Sequence, residues 1–291
     1  MPSWLRRNRR LQVGFLLLAP FLVAAAIPGV IAPYSPTDLV GVPFQGPSSE
    51  FLLGTDELGR DIFSRLVYAA RTDLKISLGA TLAAAVVGTS IGFWVGYRGG
   101  LLSTISLRLT DVMLAFPSIL LALFLVAVIG PSDYIVLGAL AVLYFPGFLR
   151  FARGMAISLR ERAFVEASVI SGARPSYVVW RHLLPNAIGP TLVGVALTAA
   201  YTLLAAATLS YLGLGAPPPA PSWGNMLQAS FGTLFQDWQY GVWPGLCIVL
   251  VALGYMLISE GIEHAVRRSA SAVVLADIDP ASGTTATGSP A

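Results

Sequence analysis

The sequence is poor in charged residues and contains almost no cysteine, histidine or lysine. Only 11% of its 291 residues are charged, less than half the fraction found in ordinary soluble domains. A single cysteine, Cys247, excludes a disulfide framework and a redox thiol pair. The histidines, His182 and His264, are far apart with no cysteine nearby, so the pattern predicts no metal site. No P-loop surrounds the one lysine, Lys75, so the chain lacks this ATP-binding motif.

Long uncharged apolar runs dominate what remains. Hydrophobic residues make up 55% of the chain, more than a soluble core of this length can bury. Runs of about 17 uncharged residues can cross the hydrocarbon layer as helices, and only helices or closed barrels satisfy the backbone there. The sequence therefore predicts an all-α polytopic membrane protein. We expect six transmembrane helices, at about residues 11–32, 76–97, 112–129, 134–149, 187–212 and 241–258.

Basic residues are distributed unevenly between the two sides that six spans define. Fourteen of the 18 fall at the termini or in loops on one side, and four fall on the other. The positive-inside rule then places both termini in the cytoplasm. We expect a basic cytoplasmic N-terminus at 1–10, a membrane domain at 11–268 and a disordered cytoplasmic tail at 269–291. The net charge of +3 reflects this topology and indicates no nucleic-acid partner.

The first and third outward-facing loops are the long ones, at about 33–75 and 213–240. The first begins with proline and glycine turns and ends with apolar residues at helical spacing, which predicts a short amphipathic helix on the membrane surface. The third contains three consecutive prolines, which exclude helix there and favour an extended or turning connection.

The second predicted span has glycines on one face. Gly88, Gly92 and Gly96 are four residues apart, so they lie on the same side of a helix. Glycine lets another helix backbone approach closely, which is a main source of helix association in lipid. We expect a close helix contact here, with either another span or another chain.

A polar stretch at about 154–186, the elbow segment, separates the fourth and fifth spans. Gly172 can adopt the left-handed conformation that ends a helix. A second short helix should then present Tyr177 and Trp180, and Pro185 is expected to end it. Two short helices that meet at a glycine form a compact knob suited to a groove on another protein, although a hairpin lying on the membrane would show the same pattern.

The elbow segment resembles the EAA coupling loop of ATP-binding-cassette importer permeases of type I fold. In that loop Glu-Ala-Ala is followed by a glycine six residues after the glutamate and by a later Leu-Pro; here the triplet is Glu166-Ala167-Ser168. The resemblance implies that the loop docks on a separate ATPase. By this resemblance, the coupling residues are Glu166, Ala167, Ser168, Gly172, Tyr177, Trp180, Arg181, Leu184 and Pro185.

Further stretches are similar to the subfamily that imports oligopeptides, dipeptides and nickel, in particular to its C-type permease subunit. These stretches are 53–61, 111–117 and 209–225. In the outward loops the matching motif residues are Gly54, Asp56, Gly59, Arg60, Asp61, Trp223, Gly224 and Asn225. The end of the sixth span departs from the family pattern, because Glu260 keeps an acid but Glu263 replaces a base.

The resemblance implies a non-enzymatic subunit of a bacterial cytoplasmic (inner) membrane importer that forms half of a translocation pathway. Its implied partners are a homologous second permease, separate ATP-binding subunits or a fused two-domain ATPase, an external solute-binding lipoprotein and a peptide. ATP and magnesium would bind to the ATPase, and this chain would hold no cofactor. Nickel is the alternative substrate. A stand-alone secondary carrier is disfavoured, because the predicted spans contain no ionisable residue in their interior.

Overall fold

The structure is a computed structural model that describes residues 8–233, 235 and 238–278. Within these residues the regular secondary structure is helical, apart from one isolated antiparallel bridge between Thr55 and Asp61. The helices are α1 (Arg9–Ala26), α2 (Pro28–Ile31), α3 (Ile62–Arg98), α4 (Gly100–Ala115), α5 (Ser118–Ile129), α6 (Asp133–Arg160), α7 (Ala163–Ile170), α8 (Pro175–Val178), α9 (Leu184–Tyr211), α10 (Trp223–Gly232) and α11 (Gln239–Ile278). A π-helical turn, Val179–Leu183, joins α8 to α9.

Five helical stretches are long and apolar enough to cross a membrane, and α4 with α5 makes a sixth if this bent pair is one span. The prediction of an all-α polytopic membrane protein is confirmed. The prediction of an unbroken third span at 112–129 is wrong, because α4 and α5 meet at an angle of 88°. Pro117 explains the break: its ring forces Phe116 out of the helical region, to φ −83° and ψ 139°.

Helix α3 begins at Ile62, so residues 62–75, which were predicted as the end of the first outward loop, are the first turns of one continuous helix. Asp61 starts the helix, since its carboxylate accepts hydrogen bonds from the Ser64 amide at 2.8 Å and the Ser64 hydroxyl at 2.6 Å. The predicted amphipathic surface helix is also absent, because Ile62 and Leu66 are buried within the helix bundle. We name residues 33–61, which precede α3, the cap segment.

Two other predicted segments, the loop at 213–240 and the tail at 269–291, also contain helix that was not predicted. The loop predicted at 213–240 contains α10, which starts with a reciprocal capping box between Ser222 and Asn225. Helix α11 continues to Ile278, so residues 269–278 are helical where disorder was predicted. Alanine, serine, valine and leucine at 269–276 are compatible with helix extension. Residues 1–7 of the predicted N-terminus and 279–291 of the predicted tail lie outside the described residues.

Helices α3 and α6 are in backbone contact along the glycine face. A Cβ built on Gly92 would lie 2.5 Å from the carbonyl oxygen of Leu149, and one on Gly88 would lie 2.8 Å from Cβ of Phe148. A Cβ on Gly96 would lie 2.7 Å from Cβ of Ala156. Any larger residue would therefore push the two helices apart.

The N-terminal turn of α1 also contacts the interior of α11. The Arg10 guanidinium lies 2.7 Å from the Glu260 carboxylate and 3.0 Å from Nε2 of His264. Glu263 pairs with Arg267 one turn further on, at 2.8 Å. The altered end of the sixth span thus uses both of its acids in ion pairs within this chain.

We expect Gly92→Ala to lower the free energy of unfolding of the purified protein by about 1–3 kcal/mol, the usual cost of overpacking. The reason is that the added methyl group has no room beside the Leu149 carbonyl group. Denaturant titration in mixed micelles measures this change. Gly138→Ala is the control, because no heavy atom lies within 4 Å of a Cβ at that position. Equal effects of the two substitutions would contradict the close α3–α6 contact.

Candidate functional site

The elbow segment contains the last turns of α6, which ends at Arg160, and the chain turns at Gly172. Gly172 has φ +80°, and its amide donates to the Val169 carbonyl at 2.9 Å. The next amide, that of Ala173, donates to the Ser168 carbonyl at 3.1 Å, which completes a Schellman-type helix end. No heavy atom lies within 4 Å of a Cβ at Gly172, so the backbone conformation alone favours glycine here.

Pro185 does not end a helix, contrary to the sequence prediction. It lies in the first turn of α9, and the chain passes from α8 through the π-helical turn into α9 without a break. The Leu184 amide donates five residues back, to the Val179 carbonyl. Proline has no amide to donate, and a wider turn is one way in which a helix tolerates it. The second arm of the elbow is therefore the start of a long membrane helix.

The inner face of the elbow segment is apolar and buried. Val165, Val178, Val179 and Leu183 pack with Phe93 of α3 and with Ala152 and Ala156 of α6. Burial of these side chains stabilises the elbow against two membrane helices. A force on the elbow therefore acts directly on α3, α6 and α9.

The outer face carries exposed apolar and aromatic side chains. Ile170 is 80% exposed, and Tyr177 and Trp180 are about half exposed. The His182 ring lies edge-on to Tyr177, with ring centroids 5.5 Å apart. Of the other predicted coupling residues, Ala167 and Arg181 are exposed, and Ser168 and Leu184 are half-buried.

Glu166 lies in the first turn of α7, where the partial positive charge of a helix N-terminus favours a carboxylate. Its side chain is exposed, and no described residue forms a hydrogen bond or ion pair with its carboxylate. A groove of about 550 Å³ opens beside it. The groove is lined by Tyr97, Arg98, Arg160, Glu161, Val165, Glu166, Val169 and Pro175. The elbow thus offers an unpaired acid next to two arginines.

The cap segment lies at the opposite end of α3 and folds around a buried carboxylate. Asp56 accepts hydrogen bonds from the Leu58 and Arg60 amides, both at 2.9 Å. It also pairs with the Arg60 Nε at 2.6 Å, and Arg65 Nε lies 3.4 Å away. Asp56 is completely buried, so these contacts offset its desolvation.

Two glycines of the cap motif have positive φ angles. Gly54 has φ +84° and Gly59 has φ +81°, and a Cβ at either position would collide with a carbonyl oxygen. Asp56 and Arg60 bond to each other inside the cap segment, and Asp61 caps α3. These motif residues therefore stabilise the structure of the cap segment itself. These residues lie at the N-terminal end of α3, and the elbow segment lies at its C-terminal end.

The second external motif packs against the cap end of α3. Trp223 is completely buried, and its Nε1 donates to the Leu66 carbonyl at 3.2 Å. A Cβ at Gly224 would collide with the Ala207 carbonyl oxygen, so α10 starts in contact with α9. Asn225 caps α10. A cleft of about 460 Å³ joins the two motifs, lined by Glu57, Leu58, Arg60, Arg65, Pro218, Pro219, Ala220, Asn225, Gln228 and Ala229.

Sequence reasoning missed Asp73. It was assigned to the first outward loop, but it lies inside α3, is completely buried and accepts a hydrogen bond from the Trp223 amide at 2.7 Å. Its surroundings offered little signal in the sequence, because Arg71 and Lys75 flank Asp73 and make the stretch charged.

Several known proteins are similar to this chain. It is 38% identical over 263 residues to the dipeptide transport system permease protein DppC of Alkalihalophilus pseudofirmus, covering 90% of this chain and 86% of that protein. It is 34% identical to the di/tripeptide permease DppC of Pseudomonas aeruginosa, covering 89% and 88%. It is also 34% identical to the glutathione permease GsiD of Escherichia coli, covering 89% and 86%.

A solved structure also shares the fold. A chain of the methionine ABC transporter MetNI in an inward-facing conformation matches with a TM-score of 0.53 and 19% identity, over 70% of this chain and 95% of that one. The family described as "Binding-protein-dependent transport system inner membrane component" matches residues 88–271, which include the glycine face, the elbow segment, α9 and α10. The chain therefore belongs to this family of ABC importer permeases.

Proposed function

We propose that this protein is the C-type permease subunit of an ATP-driven importer of short peptides. Relatives that match about nine-tenths of the chain are named as dipeptide, di/tripeptide and glutathione permeases, and this supports the substrate class. A homologous second permease supplies the other half of the pathway. The observation that carries the coupling role is the elbow segment, whose inner face is anchored to membrane helices while its outer face is exposed.

The arginine distribution supports the orientation that we propose in a bacterial cytoplasmic membrane. Arg98, Arg153 and Arg160 lie at the elbow end of the bundle, as does Arg10. The positive-inside rule then puts this end and both termini in the cytoplasm. The cap segment faces outward, where its cleft is open to a solute-binding lipoprotein that delivers the peptide.

Separate ATP-binding subunits, or one fused ATPase, dock on the elbow and hold the ATP and magnesium. Glu166, unpaired within the described chain, provides the contact for a basic group or a helix end on the ATPase. Exposed Ile170, Tyr177 and Trp180 add apolar area of the kind that anchors interfaces. Closure of the ATPase moves α7 and α8, and this motion passes to α9 and α3 through the shared core.

We expect Glu166→Gln to reduce peptide transport by the assembled importer about tenfold, the effect of losing roughly 1.4 kcal/mol of a charge-assisted contact. The ATPase should still hydrolyse ATP, so the ratio of peptide moved to ATP consumed should fall. Uptake and hydrolysis in proteoliposomes measure both quantities. Glu263→Gln is the control, since Glu263 is an acid at the same end that pairs within α11. Unchanged transport by the Glu166 variant would contradict the docking role.

Reconstitution of wild-type components tests the function itself. We expect labelled dipeptide to accumulate only when this chain is combined with the second permease, the ATPase and the binding protein, because this chain forms half of the pathway. Transport by this chain alone would identify a secondary carrier. Uptake of nickel without uptake of dipeptide would identify the metal importer of the same subfamily.

A further inference from the structure

Helix α3 connects the two functional ends of the molecule. Its 37 residues form one unbroken helix, about 55 Å long at 1.5 Å per residue. At the elbow end, Phe93 packs in the core of the elbow segment. At the cap end, the same helix carries Leu66 and Asp73, which hold the first residue of α10.

The contact between Asp73 and α10 has an unusual setting. Asp73 is 0% exposed, and its Oδ2 accepts the Trp223 amide hydrogen at 2.7 Å. This amide is the first of α10 and one of the free amides at a helix start, where the helix dipole also favours a negative charge. No other described side chain neutralises Asp73 through an ion pair, and its Oδ1 has no hydrogen-bond partner among the described residues. This carboxyl group ties the start of α10 to α3, because loss of the hydrogen bond would leave two buried polar groups without a partner.

The remaining contacts of Trp223 fix the same end of α10. Its indole donates to Leu66 of α3 and meets Phe21 of α1 edge-on, with ring centroids 5.7 Å apart. The rest of α10 packs against α9 and α11, since Gly224 meets the Ala207 carbonyl group and Ser230 is buried beside Gly241. The hydrogen bonds from α10 to α3 lie at the N-terminus of α10, so a shift of α3 acts on that end.

We propose that Asp73 is a positioning residue of the transport cycle, which joins α10 to α3 so that motion from the elbow reaches the external face. The proposal rests on the proposed function, since it names α10 as the external element that is moved when the ATPase closes. Complete burial keeps the carboxylate from contacting a passing substrate, so Asp73 acts through Trp223. The contact between Asp73 and Trp223 also positions Asn225 and Gln228 in the cleft beside the cap segment. A solute-binding protein that delivers the peptide would contact them there.

The test compares Asp73→Leu with wild type in the complete importer. The leucine side chain has a similar size, offers no acceptor to the Trp223 amide and buries no polar group of its own, so this variant should fold. We expect amide hydrogen exchange within 222–227 to become about tenfold faster, because a hydrogen bond worth roughly 1.4 kcal/mol is lost. Peptide transport should fall by a similar factor, while ATP hydrolysis without the binding protein stays at the wild-type rate.

Two further variants separate positioning from a general effect on folding. Glu50→Gln removes an exposed acid of the cap segment that no described hydrogen bond or ion pair joins to α10, and it should leave exchange at 222–227 unchanged. Asp73→Asn keeps an acceptor for the Trp223 amide and should recover most of the transport that Asp73→Leu loses. Exchange that rises throughout the chain in Asp73→Leu, or no recovery with Asp73→Asn, would overturn the positioning role.

Wild-type transport by Asp73→Leu would also overturn the proposal. If the wild-type importer accumulated no peptide, the proposed function would fail instead. Exchange at 222–227 would still decide whether Asp73 holds α10 to α3.

Discussion

The backbone contact between α3 and α6 is the constraint on which the rest of the structure depends. Apolar side chains gain little from association within lipid, so close packing has to hold the helices together. Gly88, Gly92 and Gly96 remove the side chains that would separate the two backbones. This contact fixes α3 beside α6, and α3 then reaches from the cap segment to the elbow segment in one piece.

The two ends of α3 differ in chemistry. At the elbow end, buried valines anchor a short helix whose outer face carries exposed aromatic residues and an acid, Glu166, that is unpaired among the described residues. At the cap end, acidic side chains are buried: Asp56 pairs with Arg60, and Asp73 accepts a hydrogen bond from the Trp223 amide. The cap end therefore directs its acids into the chain, whereas the elbow end directs one outward.

The sequence was sufficient to predict the membrane class, the elbow turn at Gly172 and the family, because these depend on local composition and short motifs. It was insufficient for the start of α3, where charged residues such as Arg65 and Asp73 looked like a loop. Their partners, the Asp56 carboxylate and the Trp223 backbone amide, come from elsewhere in the chain. Local sequence cannot show such pairing, so a charged helix was interpreted as an aqueous segment.

Proline was an equally ambiguous signal. Pro117 breaks a span, whereas Pro146 and Pro244 lie inside continuous helices and Pro185 lies in the first turn of one. A helix continues through a proline if neighbouring groups bond the carbonyl group that loses its amide partner, or if the helix widens, as at Val179–Leu183. Both conditions depend on tertiary packing, which a local sequence pattern does not encode.

The orientation of the elbow segment tests the central claim most directly, since an ATPase can dock on it only from the cytoplasm. Cysteine would be introduced at Ile170, which is 80% exposed on the elbow, or at Glu50 on the cap, in a Cys247→Ala background. A membrane-impermeant thiol reagent applied to intact spheroplasts should label the Glu50→Cys protein and leave the Ile170→Cys protein unlabelled until the membrane is opened. Labelling of the Ile170→Cys protein in intact spheroplasts would contradict the account.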